Sequence, residues 1–331
     1  MNQALLKVSD LKVEFPTRRG NLVAVDRISF SIMPGEVLGV VGESGAGKSL
    51  TGAAIIGLLE PPGRIAGGEI ILDNLRLDNL PDHLMRTVRG RKIGAIFQDP
   101  LTSLNPLYTI GRQLTETIRT HLTISESEVR KSALGWLQEV GIPRAEERFD
   151  HYPHQFSGGM RQRVVIALAL CANPRLVIAD EPTTALDVSI QAQIIKVLKK
   201  LCKHHGTSIM LITHDMGVIA ETADRVAVMY AGRIVEIGSV EQVVRKPLHP
   251  YTSGLMGAIP HIGNDIDHLT QIEGAMPRLD QIPSGCGFHP RCQQRIEQCS
   301  NLRPDLHNSP IHSVACHLFE SRSSDQAIDA L

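Results

Sequence analysis

Eight consecutive residues, Gly42-Glu43-Ser44-Gly45-Ala46-Gly47-Lys48-Ser49, have the composition of a loop that binds phosphate groups. Its glycines let backbone N–H groups approach phosphate oxygens without Cβ clashes, and a helix beginning here would add favourable partial charge. The Lys48 ammonium can reach the β- and γ-phosphates, and the Ser49 hydroxyl can bind Mg²⁺. This phosphate loop, residues 42–49, predicts a nucleotide triphosphate site, which GTPases, kinases and motor proteins share.

Two carboxylates end an apolar stretch farther along the chain. Residues 176–179 read as a buried strand, and Asp180 and Glu181 follow directly. A buried strand that ends in two acids needs positive charge nearby. Beside a phosphate loop, Asp180 is suited to orient Mg²⁺ and Glu181 to polarise the attacking water.

The elements that must hold these residues follow from hydrophobic periodicity. Residues 5–15 and 22–32 alternate like strands of an antiparallel sheet. Solidly apolar runs predict buried strands, and helical spacing predicts helices after the glycine loop and between the later strands. The predicted buried strands are 37–41, 93–97, 176–179, 208–213 and 225–230, and the predicted helices are 49–59, 159–171 and 188–204.

Composition divides the chain and excludes several classes of protein. We predict one α/β unit over residues 1–240, with a polar helical insertion at about 100–155. An extension rich in proline, histidine and cysteine covers 241–319, and a polar tail covers 320–331. The 34 basic and 35 acidic residues give a net charge of -1, which predicts no nucleic-acid partner. With neither a signal peptide nor a membrane-spanning run, we expect a cytosolic chain that meets the membrane through partners.

The stretch Phe156-Ser157-Gly158-Gly159-Met160-Arg161-Gln162-Arg163 resembles the signature motif of the ATP-binding cassette (ABC) family. The resemblance implies a P-loop cassette: an antiparallel β subdomain, a RecA-like core and a helical subdomain, here with a small cysteine-containing extension. It implies ATP and Mg²⁺ as cofactors and hydrolysis at two sites between two cassettes. Ser157, Gly158 and Gly159 of one subunit would then close on the γ-phosphate held by the other.

The other marks of that family occur in order. Gln98 matches the glutamine that senses Mg²⁺ and water, and Asp187, in Ala185-Leu186-Asp187, matches the loop that crosses the dimer interface. His214 matches the switch histidine on the γ-phosphate. Phe15 stands where the family places an aromatic on adenine, although a plain core position also explains it. Because Glu181 and His214 are both present, we expect hydrolysis and not a regulatory pseudo-site.

Three stretches resemble the peptide and nickel importer branch, namely residues 98–106, 245–252 and 285–292. The branch implies a second, different ATPase, two transmembrane permeases and an extracytoplasmic binding protein, with this chain peripheral on the cytoplasmic face of the inner membrane. We predict short peptides as cargo, dipeptides foremost. Oligopeptides, glutathione, nickel, haem and antimicrobial peptides remain alternatives, as does a non-transport ABC ATPase.

Four cysteines crowd into the extension: Cys286, Cys292, Cys299 and Cys316. Their spacing names no metal, so a 4Fe–4S cluster, a zinc ion and free thiols all stay open. The resemblance favours the cluster, with a structural or redox-sensing role. Cys171 and Cys202 read as small core residues, and His289, His312 and His317 as solvated loop histidines.

Overall fold

A computed structural model describes residues 3–184, 187–257, 272–308 and 312–319. The strands are β1 (Leu6–Thr17), β2 (Gly20–Ile32), β3 (Val37–Val41), β4 (Arg64–Leu72), β5 (Leu75–Arg76), β6 (Ile93–Ile96), β7 (Leu176–Asp180), β8 (Ser208–Ile212), β9 (Arg225–Tyr230), β10 (Arg233–Ser239), β11 (His307–Asn308) and β12 (Ser313–Val314). The predicted strand 37–41 and the predicted strand 225–230 have their predicted bounds. The other three buried strands differ by one residue at the carboxyl end.

The helices are α1 (Lys48–Ile55), α2 (Asp82–Val88), α3 (Pro100–Ser103), α4 (Ile110–His121), α5 (Glu126–Glu139), α6 (Ala145–Arg148), α7 (Gly158–Leu170), α8 (Val188–His205), α9 (Met216–Thr222), α10 (Val240–Arg245), α11 (Pro250–Gly257) and α12 (Gln298–Asn301). In the described part of the chain, no helix combines the length and apolarity that crossing a bilayer requires. The helix predicted to reach residue 59 ends at Ile55, and Gly57 follows with a φ of 64°.

The chain divides into two compact units that interleave along the sequence. One comprises Met1–Leu6, Ser31–Val37 and Ile71–Ile212, and the other comprises Lys7–Phe30, Leu38–Ile70 and Thr213–Leu331. We call the first the helical unit and the second, which contains the phosphate loop, the loop unit. The predicted boundary at residue 240 stays a prediction.

The helical unit is built on three parallel strands in the order β8-β7-β6. The first four residues of β7 are buried, as expected for a strand that is covered on both faces. Helices α3 to α6 lie within the predicted helical insertion. Two of them begin at side-chain caps: Thr109 accepts the N–H of Arg112, and Ser125 forms a capping box with Glu128.

The loop unit contains the outer antiparallel subdomain and the extension. Strands β2, β1 and β4 are neighbours in one sheet. In a second sheet β3 runs parallel to β9, β9 pairs antiparallel with β10, and β10 pairs antiparallel with β12. The extension therefore contributes strands, which its irregular composition did not predict.

Two histidines of the extension are buried, so their interpretation as solvated loop residues was wrong. His312 is 7% exposed and forms a hydrogen bond with the Glu236 carboxylate, which is 0% exposed. His317 is 8% exposed, and its Nε2 lies 2.9 Å from the Leu302 carbonyl oxygen. His312 lies between the extension and β10, and His317 lies within the extension. Each can be buried because it has a polar partner there.

Candidate functional site

The phosphate loop connects β3 to α1, as predicted. Gly42 has a φ of 151°, and a Cβ there would lie 2.2 Å from the Met229 carbonyl oxygen, so only glycine fits. Gly47 caps α1 with a φ of 99°. The loop thus bends back over β9 and delivers Lys48 and Ser49 at the first turn of α1.

The Lys48 side chain spans its own loop. It is buried, and its Nζ donates to the carbonyl oxygens of Gly42 at 2.7 Å and of Glu43 at 3.0 Å. Ser44, Gly45 and Ser49 are exposed beside it. The ammonium is therefore held over the concave side of the loop, where a phosphate group would lie.

His214 lies near the start of that loop, within the same unit. The N–H of Thr213 donates to the Val40 carbonyl oxygen at 3.2 Å, which places His214 beside the carboxyl end of β3. Asp215, the next residue, caps α9. Phe15 is half-buried, and its ring packs against Gly63.

The acidic strand end lies in the helical unit. Glu181 follows β7 with a φ of 46°, a left-handed conformation that glutamate rarely adopts. Its N–H donates to the Ile212 carbonyl oxygen at 2.8 Å. Its carboxylate accepts from Thr184 Oγ1 at 2.8 Å and from Gln98 Nε2 at 3.3 Å. Since β6 and β7 are parallel neighbours, Gln98 and Glu181 meet beyond the carboxyl ends of these two strands.

The signature residues begin helix α7. Ser157 is the N-cap, and its hydroxyl accepts the N–H of Met160 at 3.4 Å. Ser157 and Gly158 are exposed, whereas Gly159 is buried, and a Cβ at Gly159 would lie 2.9 Å from Ile190 Cγ2. Asp187 is exposed at the N-cap of α8. Ala185 and Leu186, predicted in the same loop, lie outside the described residues.

The four clustered cysteines line one small cavity in the extension. Its wall also includes His249, Phe288, His289 and His317. Burial raises the pKa of the Cys316 thiol to about 12 and raises the pKa of Cys286 and Cys292 as well. We call residues 286–316 around this cavity the cysteine module. Cys171 and Cys202 are buried elsewhere, as predicted for core residues.

Comparison with known proteins gives a family match for the cassette and another for the extension. Residues 25–184 match the ABC transporter family, and residues 235–299 match the C-terminal region of oligopeptide/dipeptide transporters. The chain is 47% identical to the oligopeptide transport ATP-binding protein AppD of Bacillus subtilis, over 98% of this chain and 99% of that one. This chain belongs to the ABC transporter family.

Other relatives agree with this assignment. The cassette is 46% identical to the dipeptide transport ATP-binding protein DppD of Haemophilus influenzae, over 95% of each chain. Among solved structures, it resembles the dimeric ATP-binding cassette MJ0796 bound to ADP and phosphate, with a TM-score of 0.63 and 30% identity. That match covers 71% of this chain and 98% of the other. The chain is therefore a transporter ATPase with the predicted fold.

Sequence reasoning missed three residues of this ABC cassette that meet at the phosphate loop. Tyr251 and Arg291 both contact Glu43, a position that the loop pattern leaves undefined. Each of the two lies in a stretch that resembles the importer branch, but the stretches alone gave them no role. An arginine next to a cysteine and a glutamate inside a phosphate loop were the available signals.

Proposed function

We propose that this ABC cassette powers the import of short peptides, dipeptides foremost, across the cytoplasmic membrane. One observation carries the proposal: relatives named for dipeptide and oligopeptide transport match the chain over nearly its full length, including the extension. Oligopeptides, glutathione, nickel, haem and antimicrobial peptides are the alternative cargoes of the same motor. A non-transport ABC ATPase would not account for the match over residues 235–299.

Hydrolysis in this proposal is a matter of position and charge. Lys48 binds the β- and γ-phosphates, Ser49 and Gln98 bind Mg²⁺, and Asp180 orients the ion. Glu181 accepts a proton from the water whose oxygen attacks the γ-phosphorus, while the bond to the bridging oxygen breaks and the electrons leave on ADP. His214 holds the γ-phosphate, and Phe15 stacks on adenine. The Gln98 and Thr184 hydrogen bonds that fix the Glu181 carboxylate support its role.

The proposal includes the other subunits of the transporter. Ser157, Gly158, Gly159 and Asp187 act on the nucleotide of a second, different ATPase subunit, and that subunit's signature acts here. The exposed amino end of α7 supports this role, because a helix amino terminus attracts phosphate. Two permeases form the membrane path, a binding protein delivers cargo from outside, and the cassette docks on the cytoplasmic side.

We also propose that Cys286, Cys292, Cys299 and Cys316 bind a 4Fe–4S cluster. The donor set fits, because four thiols line one cavity. Zinc is the alternative metal, since four thiolates can also bind it tetrahedrally. Bound iron would supply a redox-active centre, and the cysteines would hold it as thiolates despite their burial.

Metal analysis tests the cluster proposal. Protein purified without oxygen should contain about four irons and matching sulfide per chain, with broad absorption in the visible range. Cys292→Ser should lose most of the iron, whereas Cys202→Ser, at a buried cysteine outside the module, should keep it. One zinc per chain without colour would show that the cysteines bind a structural zinc ion instead of a cluster. The absence of any metal would refute both interpretations.

Uptake measurements test the cargo. In cells that carry the complete transporter, Lys48→Ala should abolish ATP-dependent accumulation of a labelled dipeptide, because the nucleotide would no longer be held. Lys7→Ala, at an exposed lysine of β1, should leave uptake unchanged. Dipeptide uptake that persists in the Lys48→Ala cells would refute the cargo assignment, and loss of nickel uptake instead would identify the alternative.

A further inference from the structure

We propose that Tyr251 and Arg291 are positioning residues of the phosphate loop, and that through them the cysteine module sets the affinity for nucleotide. The inference deepens the proposed function and uses its cysteine module, but it does not depend on which metal the module binds. All residues that carry it belong to the loop unit.

Tyr251 holds the backbone of the loop. Its hydroxyl oxygen accepts the N–H of Glu43 at 2.9 Å, and its side chain is fully buried. The Tyr251 N–H donates to His249 Nδ1 at 3.0 Å, and the His249 N–H donates to the Glu236 carboxylate at 3.0 Å. The tyrosine is therefore fixed to β10 through two hydrogen bonds before it reaches the loop.

Arg291 holds the side chain of the same loop residue. Its guanidinium donates to Glu43 Oε2 at 3.0 Å, and the arginine side chain is only 8% exposed. Its Nε donates to the carbonyl oxygen of Glu273 at 2.8 Å, and a terminal nitrogen donates to that of Gly274 at 3.2 Å. A guanidinium with this many fixed partners holds one geometry, unlike an exposed ion pair on the surface.

Glu43 connects these two contacts to the catalytic lysine. Its carbonyl oxygen accepts from Lys48 Nζ, while its N–H and its carboxylate are bound by the extension. The Met276 side chain, also from the extension, lies against Gly45. A shift of the extension would therefore displace the carbonyl that orients Lys48 and the backbone that faces phosphate.

The other end of the same contacts lies in the cysteine module. Arg291 immediately precedes Cys292, and Phe288 lies between Cys286 and Cys292 in the wall of the thiol cavity. The Phe288 ring packs edge-on against Tyr230 at 5.2 Å and tilted against Tyr251 at 5.4 Å between centroids. Whatever the four thiols bind thus sets the position of both residues that hold Glu43.

Nucleotide affinity of the full chain, purified without oxygen, tests the positioning. Tyr251→Phe and Arg291→Gln should each weaken binding of a fluorescent ATP analogue about fivefold to tenfold, the effect expected when a hydrogen bond to a charged or buried group is lost. The KM for ATP should rise with them, with a smaller change in kcat. Arg291→Lys should recover part of the affinity, and Arg295→Gln, at an exposed arginine of the same module, should change nothing.

A double-mutant comparison separates positioning from general stability. In a Glu43→Gln background, Arg291→Gln should have little further effect on ATP affinity, because the ion pair is already lost. Variants that melt at lower temperature but bind ATP with wild-type affinity would overturn the proposal and leave only a structural contact.

The dependence on the module has its own test. Cys292→Ser should weaken ATP binding in the wild-type background and have a smaller effect in the Arg291→Gln background, where only the contact through Phe288 and Tyr251 remains. Equal affinity of wild type and Cys292→Ser would overturn the coupling. Absence of iron from the wild-type protein would instead refute the cluster proposal, and this comparison would still decide the coupling.

Discussion

Glu181 combines a left-handed backbone conformation with a carboxylate that two hydrogen bonds hold in place. A left-handed glutamate costs of order 1–3 kcal/mol, and such strain persists where the surroundings impose it, often at catalytic sites. Here the Ile212 carbonyl holds the backbone, and Thr184 and Gln98 hold the carboxylate. The strained turn aims one oxygen at a fixed position, as a base that activates water requires.

We expect Glu181→Gln to lower the ATPase rate roughly 100-fold or more, because the proposed general base is lost while the shape is kept. ATP binding should persist, and an ATP-bound dimer with the proposed second ATPase subunit should accumulate. Phosphate release and gel filtration with ATP measure the two effects. Glu116→Gln, at an exposed position of α4, serves as the control. Steady hydrolysis by Glu181→Gln would contradict the role assigned to this residue.

The two core cysteines lie outside the cysteine module, and burial keeps their thiols unreactive. Burial raises the pKa of both Cys171 and Cys202 to about 12, so almost no thiolate forms near pH 8. We expect neither to react with a maleimide in the folded protein at that pH, and both to react after denaturation. Mass spectrometry of labelled peptides measures the extent of labelling at each cysteine. Fast labelling of Cys202 in the native state would show that α8 opens.

At the scale of elements, strand β6 and helix α7 approach so closely that a single methyl group matters. A Cβ at Gly94 would lie 2.2 Å from the Ala169 carbonyl oxygen. This contact places the signature helix α7 against the strand that leads to Gln98. Two motifs far apart in sequence thus share one rigid support within the helical unit.

We expect Gly94→Ala to destabilise the protein by about 1–3 kcal/mol, because the backbone of α7 must move to admit the methyl group. Gly135→Ala is a matched control in α5, where a Cβ meets no atom within 4 Å. That substitution should instead stabilise by about 0.5–1 kcal/mol, from helix propensity alone. Urea unfolding of both variants measures the difference. Equal stability of the two would mean that the contact is not rigid.

The same scale shows what the sequence could and could not predict. The strand 225–230 was predicted with its bounds because its residues from Val226 onward form a continuous apolar run, with Asp224-Arg225 before it and Gly232 soon after it. Strands β11 and β12 have two residues each, and two residues carry no periodicity. The loop residues were predicted because phosphate chemistry demands their types, whereas Glu43 was not, because its role arises only from the fold of the extension.

For the molecule as a whole, Glu236 joins the extension to the cassette core. This fully buried carboxylate on β10 accepts the N–H groups of Leu248 at 2.7 Å and His249 at 3.0 Å, and it pairs with His312. A buried charge is tolerated only with such partners. Two separate segments of the extension therefore depend on one side chain of β10, which no periodic pattern in the sequence marks.

We expect Glu236→Leu to destabilise the chain by about 3–5 kcal/mol, because buried donors are left without an acceptor. Glu241→Gln, at an exposed position in the first turn of α10, should cost no more than about 0.5 kcal/mol. Thermal melting and limited proteolysis of the extension measure both variants. Wild-type melting of Glu236→Leu would contradict this role.

The contacts around Glu43 also constrain how such chains can evolve. Position 43 faces Tyr251 and Arg291 across more than two hundred residues of sequence. A lineage that lost the cysteine module would leave an acidic side chain in its phosphate loop without a cation, and selection would then favour a different residue there. The residue at position 43 should therefore co-vary with the presence of an arginine before the second cysteine of the module. The identity of this one loop residue would then indicate which lineages kept the module.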